Sequence, residues 1–387
     1  MRSPTEADIA AARPAVATVA KRTPVLSTRT LSERVGGTVA LKAENLQRTG
    51  SFKVRGAAAK LAALGDACAA GVVAASAGNH AQGLAAAAAA RGVPCEVFVP
   101  ADAPIAKAEA TRGHGATVHV GGGALEECLD AARERARERG MTFVHPFDDP
   151  DVVAGQGSLG LELLEDVPDL ARVVVPVGGG GLASGVAIAV KSARPDVEVV
   201  GVRIADTALT IADGIAVKHP GELTQVLLRE WLDDEVVVED EDVAAAMVVL
   251  LERCKMVVEG AGAVGVAALL HGKLAPAPRG TTVAVLSGGN VDAGLLLSIA
   301  RRHETLAGRR LVVLSRVPDR PGKLVELLAS VAAAGGNVVD VSHVREGVDL
   351  HVRETAVELV IETRGQAHAD AVVAALTGAG YDARIVR

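Results

Sequence analysis

The sequence predicts an α/β protein in which helices pack on parallel sheets, followed by a smaller unit of alternating strands and helices. Short apolar runs alternate along most of the chain with helical segments of about 10–15 residues, a pattern typical of βαβ units. Several of these runs end in Gly-rich turns, where ligands of open parallel sheets bind. The chain is 49% hydrophobic but only 2% aromatic, so its core must be built mainly from Ala, Val and Leu.

Composition also limits the classes of partner. The net charge is -7, and Lys and Arg are scattered, which argues against a nucleic-acid surface. The four cysteines have no CxxC or Cys/His spacing, which favours reduced thiols in a cytoplasmic protein. The N-terminal residues 1–6 lack an apolar signal region, and no apolar run is long enough to span a membrane. We expect a cytoplasmic protein without nucleic-acid or membrane partners.

The elements of the first 300 residues follow in a regular order. A polar, Ala-rich helix is predicted over 6–19. Compact apolar runs predict strands at 39–43, 72–75, 95–99, 116–120, 142–144, 172–177, 197–202 and 281–286. Helical patterns predict helices from 57 onward, at 81–91, 104–113 and 124–139, after Asp151, from the glycines at 178–181 to 194, and at 243–255.

The pattern changes after a charged segment at 301–304. Strands are predicted at 310–316, 337–345, 352–362 and 381–386, and helices at 323–334 and 367–378. This βαββαβ order is that of a ferredoxin-like unit. We therefore predict a domain boundary near residue 308, with domains at 1–308 and 309–387.

The most informative stretch is residues 49–56, where Lys53 lies between Phe52 and Val54. Gly50 permits a backbone turn that other residues resist, and the Ala-rich run from Ala57 predicts a packed helix. The Lys53 amine would lie at the start of this helix against apolar groups. Removal from water lowers the pKa of a lysine, as a Schiff-base lysine requires.

A second turn, Ser76-Ala77-Gly78-Asn79-His80, separates an apolar strand from a helix. Backbone N–H groups at a helix start can bind an anion, and the Asn79 side chain can donate a hydrogen bond. A simple strand-to-helix cap remains the alternative on this motif alone. A structural role is the alternative for His80.

The third turn contains four consecutive glycines, residues 178–181, and opens the next helix. Such a turn allows the main chain to approach a phosphate. The spacing of Gly178, Gly180 and Ala183 also matches a loose dinucleotide fingerprint. In that case Arg203 occupies the position of the ribose-binding acid and would at best suit NADP. On the motif alone, both alternatives stay open.

Ser287-Gly288-Gly289-Asn290 follows the strand at 281–286, so it lies at the same edge of the sheet as the other turns. A buried Lys53, an anion-binding turn and Ser287 together fit pyridoxal phosphate better than NADP, because a dinucleotide needs no buried lysine.

Five motifs closely resemble those of the threonine dehydratases (threonine ammonia-lyases), in the order of that family. They are SFKVRGA at 51–57, SAGNHAQG at 76–83, GGGGL at 178–182, VEGAGA at 258–263 and SGGN at 287–290. The resemblance covers residues 10–305 and implies a fold type II pyridoxal-phosphate enzyme, with a two-lobed parallel-sheet catalytic domain like that of the tryptophan synthase β chain. The unit at 309–387 is similar to an ACT domain, including the segment DRPG at 319–322.

The resemblance implies roles residue by residue. Lys53 would bind the cofactor covalently and then act as base at the substrate Cα, with Phe52 beside the ring. Asn79 would bond the cofactor O3′, and Ser287 would contact the pyridine nitrogen. The phosphate would lie on the backbone of Gly178, Gly179, Gly180, Gly181 and Leu182. The substrate carboxylate would lie on the loop of Ser76, Ala77, Gly78, Asn79 and His80.

The implied reaction is β-elimination from L-threonine to 2-oxobutanoate and ammonia, a step of isoleucine biosynthesis. Ala77 stands where the related serine racemases have a second base, which argues against racemisation. Two departures are notable. The link from Arg203 to Leu209 is shorter than in the family, and Arg203 stands near the metal-binding Glu of the racemase-like members. We therefore predict no metal site.

Three functions are compatible with these observations. The first is a threonine dehydratase regulated by a branched-chain amino acid at the ACT domain, although that domain could instead serve only for oligomerisation. The second is a serine-preferring dehydratase, because one methyl group is worth only about 1–3 kcal/mol in a pocket. The third is an amino-acid sensor without catalysis, against which Lys53, Asn79 and Ser287 argue. A homodimer or homotetramer is expected.

Overall fold

The computed structural model describes residues 2–206, 209–217, 220–345 and 350–386, so two residues of the link at 203–209 lie outside it. The chain forms two compact units, Met1–Val291 and Asp292–Arg387. A helix at Ala293–Leu306 belongs to the second unit, and the predicted boundary near residue 308 lies just after this helix.

The first unit alternates helices and strands. Its α-helices are α1 (Glu6–Val19), α2 (Arg29–Val35), α3 (Lys53–Leu64), α4 (Asn79–Arg91), α5 (Ile105–Gly113), α6 (Leu125–Arg139), α7 (Pro150–Asp166), α8 (Gly181–Ala193), α9 (Glu222–Trp231), α10 (Asp240–Val249) and α11 (Gly260–Leu270). Its strands are β1 (Val25–Ser27), β2 (Val39–Lys42), β3 (Val72–Ala75), β4 (Cys95–Val99), β5 (Thr117–Val120), β6 (Thr142–Phe143), β7 (Leu170–Pro176), β8 (Glu198–Ile204), β9 (Asp234–Val238) and β10 (Thr281–Val285).

A larger sheet has the strand order β1-β2-β10-β7-β8-β9. All neighbouring strands are parallel except β1, which runs antiparallel to β2. In the centre, Val283 of β10 lies opposite Ala40 on one side and Val173 on the other. Strands β2 and β10 are buried along their whole length, because helices cover both faces of the sheet.

A smaller sheet has the order β5-β4-β3-β6, and its strands are all parallel. Its central strand β3 is fully buried and leads directly into the turn at 76–78 and helix α4. The first unit therefore has two lobes, each with a parallel sheet whose strands end in short turns. This confirms the predicted two-lobed α/β architecture.

Close helix packing explains the Ala- and Gly-rich composition. A Cβ atom at Gly185 of α8 would lie 2.4 Å from the carbonyl oxygen of Val153 in α7. A Cβ atom at Gly155 of α7 would lie 2.6 Å from the carbonyl oxygen of Arg55 in α3. Since backbones meet this closely, the interior has little room for aromatic rings.

The second unit follows the predicted βαββαβ order after its first helix. Its elements are α12 (Ala293–Leu306), β11 (Arg310–Pro318), α13 (Lys323–Ala333), β12 (Asn337–Val344), β13 (Glu354–Glu362), α14 (Gln366–Gly378) and β14 (Asp382–Ile385). The strands form an antiparallel sheet in the order β12-β13-β11-β14. Alternate residues of β11, such as Leu311 and Val313, pack against Leu327 of α13 and Val372 of α14.

Several elements were not predicted: β1, α2, α9, β9 and α11. The helix predicted at 243–255 ends earlier, because α10 passes at Val249 into a π-helical turn, Leu250–Cys254, and Lys255 has φ 60°. None of the described helices is both long and apolar enough to cross a membrane. Nowhere in the described ranges do three or more His, Cys, Asp or Glu side chains form a group that could hold a metal ion.

Candidate active site

Lys53 is the first residue of α3, immediately after the turn that Gly50 makes with φ 72°. Its side chain is half-buried, and its Nζ donates a 2.9 Å hydrogen bond to the carbonyl oxygen of Pro146. The Nζ atom also lies 5.3 Å from the centre of the Phe52 ring. Burial lowers the pKa of Lys53 to about 8, although the Glu259 carboxylate acts in the opposite direction. Lys53 thus lies at the start of a helix, as the sequence predicts, and its role in catalysis stays a prediction.

Backbone hydrogen bonds join the lysine loop to the turn that follows β10. The N–H of Phe52 donates to the carbonyl oxygen of Ser287 at 3.1 Å, and the N–H of Gly289 donates to that of Gly50 at 2.8 Å. The Ser287 side chain is buried, and among the described residues its hydroxyl makes only a long 3.4 Å bond, to the carbonyl oxygen of Ala261. A hydroxyl held so weakly can donate to another acceptor without losing a strong bond.

Asn79 is the first residue of α4, whose N-cap is Gly78 without a capping side chain. Ser76 Oγ accepts a 3.2 Å bond from the Gly78 N–H. The Asn79 amide donates to Glu259 Oε1 at 2.7 Å and accepts from Asn290 Nδ2 at 2.7 Å. Asn79 therefore connects the smaller lobe to the two turns of the larger lobe.

His80 lies beside Asn79 but is anchored inside the protein. Its side chain is buried, and Nε2 lies 3.0 Å from the carbonyl oxygen of Val144. Burial lowers the pKa of His80 to about 3, and the Lys53 charge acts in the same direction. The ring is therefore neutral and is held by the backbone.

The four glycines at 178–181 join β7 to α8, and Gly180 has φ 87°. A Cβ atom at Gly178 would lie 2.7 Å from Ile215, and one at Gly179 would lie 2.2 Å from the Phe147 ring. Packing within the protein therefore already requires glycine here, a reason that the sequence did not reveal. No side chain in the described part of the chain caps α8, so its first N–H groups can bind an anion.

Glu259 is a buried carboxylate of this site for which the sequence predicted no role. It lies in the quoted motif at 258–263, but no role was assigned to it. Burial raises its pKa to about 7, and the charge of Asp213 contributes to this rise, while the bond from Asn79 lowers the pKa. Asp213 in turn pairs with Lys107 of α5 at 3.1 Å, which links the larger lobe to the smaller one.

The structure brings together most of the predicted residues. Hydrogen bonds connect Asn79, the turn at 287–290 and the lysine loop directly. The turn at 178–181 joins them through Phe147, which contacts Gly179 and follows Pro146, the partner of Lys53. Sequence reasoning missed Pro146, Phe147 and the role of Asn290. Only Asn290 had a signal, since it lies in the quoted motif at 287–290.

These residues fit pyridoxal phosphate. The Lys53 amine can bind an aldehyde, the uncapped N-terminus of α8 suits a phosphate, and the Ser287 hydroxyl suits a ring nitrogen. The buried Ser51 hydroxyl forms no hydrogen bond with any described residue, so the site has an unused polar atom next to Phe52. Arg203, by contrast, pairs with Glu235 at 2.9 Å.

Comparisons with known proteins agree with this chemistry. The model of the family "Pyridoxal-phosphate dependent enzyme" matches residues 16–288. An L-threonine ammonia-lyase of Thermotoga maritima is 44% identical over 398 residues, which cover 98% of this chain and 98% of that protein. A solved structure of a threonine deaminase from T.th. has a TM-score of 0.70 and 40% identity, over 75% of this chain and 99% of that one. The maize serine racemase structure has a TM-score of 0.73 and 33% identity, over 79% of this chain and 99% of that one.

Proposed function

The chain belongs to the family of pyridoxal-phosphate dependent enzymes, and we propose that it catalyses the β-elimination of L-threonine to 2-oxobutanoate and ammonia. The relatives support this substrate, since proteins named L-threonine ammonia-lyase are 43–44% identical over 93–98% of the chain. The family match includes the Gly-rich turn at 178–181, so it favours a pyridoxal-phosphate site over an NADP site at this turn.

The observation that carries the proposal is the environment of Lys53. Its amine lies at the start of a helix, half-buried, with a pKa of about 8, and it is held by the Pro146 carbonyl. A lysine with this pKa is partly neutral near pH 8, so it can act as a nucleophile and then as a base. An ordinary surface lysine, with a pKa near 10.4, does neither efficiently.

When bound, pyridoxal phosphate supplies an electron sink that acidifies the Cα–H of an amino acid. We assign to Lys53 the removal of this proton. In the bound state Asn79 would donate to the ring oxygen, and the Ser287 hydroxyl would donate to the ring nitrogen. A hydroxyl would leave that nitrogen neutral, whereas a carboxylate would keep it protonated, and a neutral ring, as the weaker electron sink, would favour elimination over transamination. The backbone of Gly178–Leu182 would hold the phosphate through the N-terminus of α8.

The substrate carboxylate is assigned to the loop Ser76–His80, whose N–H groups lie at the uncapped start of α4. In this loop His80 serves as an anchor, because its neutral ring is bonded to the Val144 backbone. Ala77 offers no group that could reprotonate Cα from the opposite face. We therefore expect elimination without racemisation, although the racemase structure is similar in fold.

L-Serine is the second candidate substrate. The maize serine racemase at 33% identity supports recognition of serine by this fold. Serine lacks only the methyl group of threonine, so we expect kcat/KM for the two substrates to differ by at most about 200-fold.

We assign the second unit to regulation, as an ACT domain with a branched-chain amino acid as effector. Its βαββαβ order fits this assignment, and the Thermotoga maritima relative extends over this unit as well. A homodimer or homotetramer, a place in isoleucine biosynthesis and a cytoplasmic location belong to the same proposal.

The direct test is to incubate the purified, cofactor-loaded protein with L-threonine and to assay 2-oxobutanoate. The Lys53→Ala variant is assayed in parallel, with the exposed Lys21→Ala as a matched lysine control. We expect product from the wild type and from Lys21→Ala, and a loss of at least 1000-fold in Lys53→Ala. L-Serine and release of D-serine are measured in the same assay.

Two outcomes would overturn parts of the proposal. A yellow, cofactor-loaded wild type without product from threonine would point to another amino acid as substrate. A wild type that neither binds the cofactor nor forms product would exclude catalysis and leave the amino-acid sensor.

A further inference from the structure

A continuous series of hydrogen bonds runs through the Asn79 amide. Asn290 Nδ2 donates both to the carbonyl oxygen of Thr49, at 2.9 Å, and to Asn79 Oδ1, at 2.7 Å. Asn79 Nδ2 then donates to Glu259 Oε1 at 2.7 Å. This series of hydrogen bonds thus begins at the loop before Lys53 and ends at the buried Glu259.

Both ends of this series determine the direction of every bond in it. A backbone carbonyl can only accept, so the Thr49 oxygen requires the NH₂ end of Asn290. The second N–H of that NH₂ group then faces Asn79 and requires its oxygen. At the other end, Glu259 Oε1 accepts from Asn79, which it can do both as a carboxylate and as the carbonyl oxygen of the protonated acid, and it therefore faces the NH₂ end of Asn79. The two ends impose the same orientation on Asn79.

Two glycines beside these hydrogen bonds leave space for the side chains that form them. A Cβ atom at Gly50 would lie 2.2 Å from Asn290 Oδ1, and a Cβ atom at Gly288 would lie 2.2 Å from Glu259 Oε1. Both glycines therefore leave room for the two side chains that hold Asn79. The Glu259 N–H also donates to the carbonyl oxygen of Gly288 at 3.1 Å, which fixes the start of the next helix.

One N–H of Asn79 remains after these bonds are counted. An amide NH₂ group has two hydrogens, and Glu259 accepts from one of them. Among the described residues, none accepts from the other. Because Asn79 cannot rotate by 180° without breaking both of its bonds, this second N–H keeps a constant direction.

We propose that Asn290 and Glu259 are positioning residues that lock the Asn79 amide, so that its second N–H is always presented to the ring oxygen of the bound cofactor. This inference rests on the proposed function, in which Asn79 is the donor to that oxygen. Neither Asn290 nor Glu259 needs to touch the cofactor for this purpose.

The test is a double-mutant cycle on the full chain, with cofactor affinity and the visible absorption maximum as readouts. The variants are Asn79→Ala, Asn290→Asp and the combination of both. An aspartate at 290 can only accept, so it repels Asn79 Oδ1 and favours the reversed amide. We expect Asn290→Asp to weaken cofactor binding by about tenfold, the value of one hydrogen bond, and to shift the absorption maximum.

The combined variant distinguishes positioning from a purely structural role. We expect it to bind the cofactor no more weakly than Asn79→Ala alone, because Asn290 acts only through Asn79. Additive losses, or an unchanged absorption maximum in Asn290→Asp, would overturn the inference. If the wild type itself binds no cofactor, the proposed function fails, and the role toward the cofactor fails with it.

A second measurement examines the lock without the cofactor. In full-length protein labelled with ¹⁵N-asparagine, the side-chain N–H groups of Asn79 should exchange slowly with solvent. In Asn290→Ala we expect this exchange to be at least tenfold faster. The matched variant is Asn337→Ala, since Asn337 makes a similar side-chain bond, to Glu362, in the second unit. Equal rates for Asn79 in the wild type and in Asn290→Ala would show that Asn290 does not hold the amide.

Discussion

The guanidinium of Arg55 donates two hydrogen bonds to the carboxylate of Glu44, from Nε to Oε2 and from Nη2 to Oε1, both 2.8 Å long. Neither side chain is more than 1% exposed. Burial alone would raise the pKa of Glu44, but the Arg55 charge lowers it below its ordinary value. Arg55 Nη1 also donates a 2.7 Å hydrogen bond to Glu162 Oε1 of α7. These bonds attach the first turn of α3, which contains Lys53, to the larger lobe.

This pair gives the first prediction. Arg55→Met should lower the free energy of unfolding of the first unit by about 3–5 kcal/mol, because it leaves buried carboxylates without their main partner. The measurement is urea unfolding followed by the fluorescence of Trp231, the single tryptophan, which lies in α9. The control is Arg29→Met, which breaks the exposed ion pair to Glu33 and should cost less than about 1 kcal/mol. Similar losses in both variants would contradict this view of the pair.

The second prediction concerns the glycine turn. Gly179→Ala would place a Cβ atom 2.2 Å from the Phe147 ring, so either the ring or the turn must move. We expect a loss of about 1–3 kcal/mol in stability from this overpacking, together with weaker cofactor binding. Gly113→Ala is the matched control, because its Cβ would meet nothing within 4 Å at the end of α5. Cofactor titration and urea unfolding of the two variants provide the comparison, and equal behaviour would contradict the prediction.

Strands with a strong local signal were predictable from the sequence alone. The runs at 72–75 and 95–99 are compact, apolar and bounded by turns, and they match β3 and β4 residue by residue. Strand β9 was missed, because it begins with two acidic residues and three of its five residues are exposed at a sheet edge. Helix α11 was missed because three of its first six residues are glycine, which favours turns in isolation. Tertiary packing stabilises both elements.

In the candidate site, too, residues in local motifs were predictable and their distant partners were not. Lys53, Asn79 and Ser287 were identified because they lie in short motifs at the ends of strands. Their partners could not be identified in this way. Pro146 lies 93 positions from Lys53, and Glu259 lies 180 positions from Asn79. Such contacts depend on how the two lobes fold, and no local pattern contains this information.

The third prediction uses the raised pKa of Glu259. In the folded protein this pKa is about 7, above the ordinary value of 4.5. The corresponding stabilisation is therefore fully present below pH 4.5 and is lost as the pH rises through 7. Glu259→Gln keeps an acceptor for Asn79 but cannot ionise. Relative to the wild type, we expect the variant to be more stable at pH 8.5 than at pH 5 by on the order of 3 kcal/mol.

Urea unfolding at the two pH values, again followed by Trp231 fluorescence, measures this difference. Glu33→Gln is the control, since Glu33 lies on the exposed face of α2. Its stability relative to the wild type should change little with pH. If Glu259→Gln shows the same pH dependence as the wild type, Glu259 does not ionise in this range.

The last prediction concerns the lowered pKa of Lys53. Only the neutral amine attacks an aldehyde, and burial brings the pKa of this amine from 10.5 to about 8. In cofactor-free protein, the rate at which pyridoxal phosphate forms its visible absorption band should therefore rise with pH and level off just above pH 8. Dividing each rate by that of a simple amine at the same pH, after the latter is expressed per neutral amine molecule, removes the ionisation of the aldehyde itself. Since the Glu259 carboxylate raises the pKa of Lys53, Glu259→Gln should move the inflection to lower pH, whereas Glu33→Gln should leave it in place. An inflection near pH 10 in the wild type would mean that Lys53 is as well hydrated as a surface lysine, and the chemistry assigned to its burial would then be wrong.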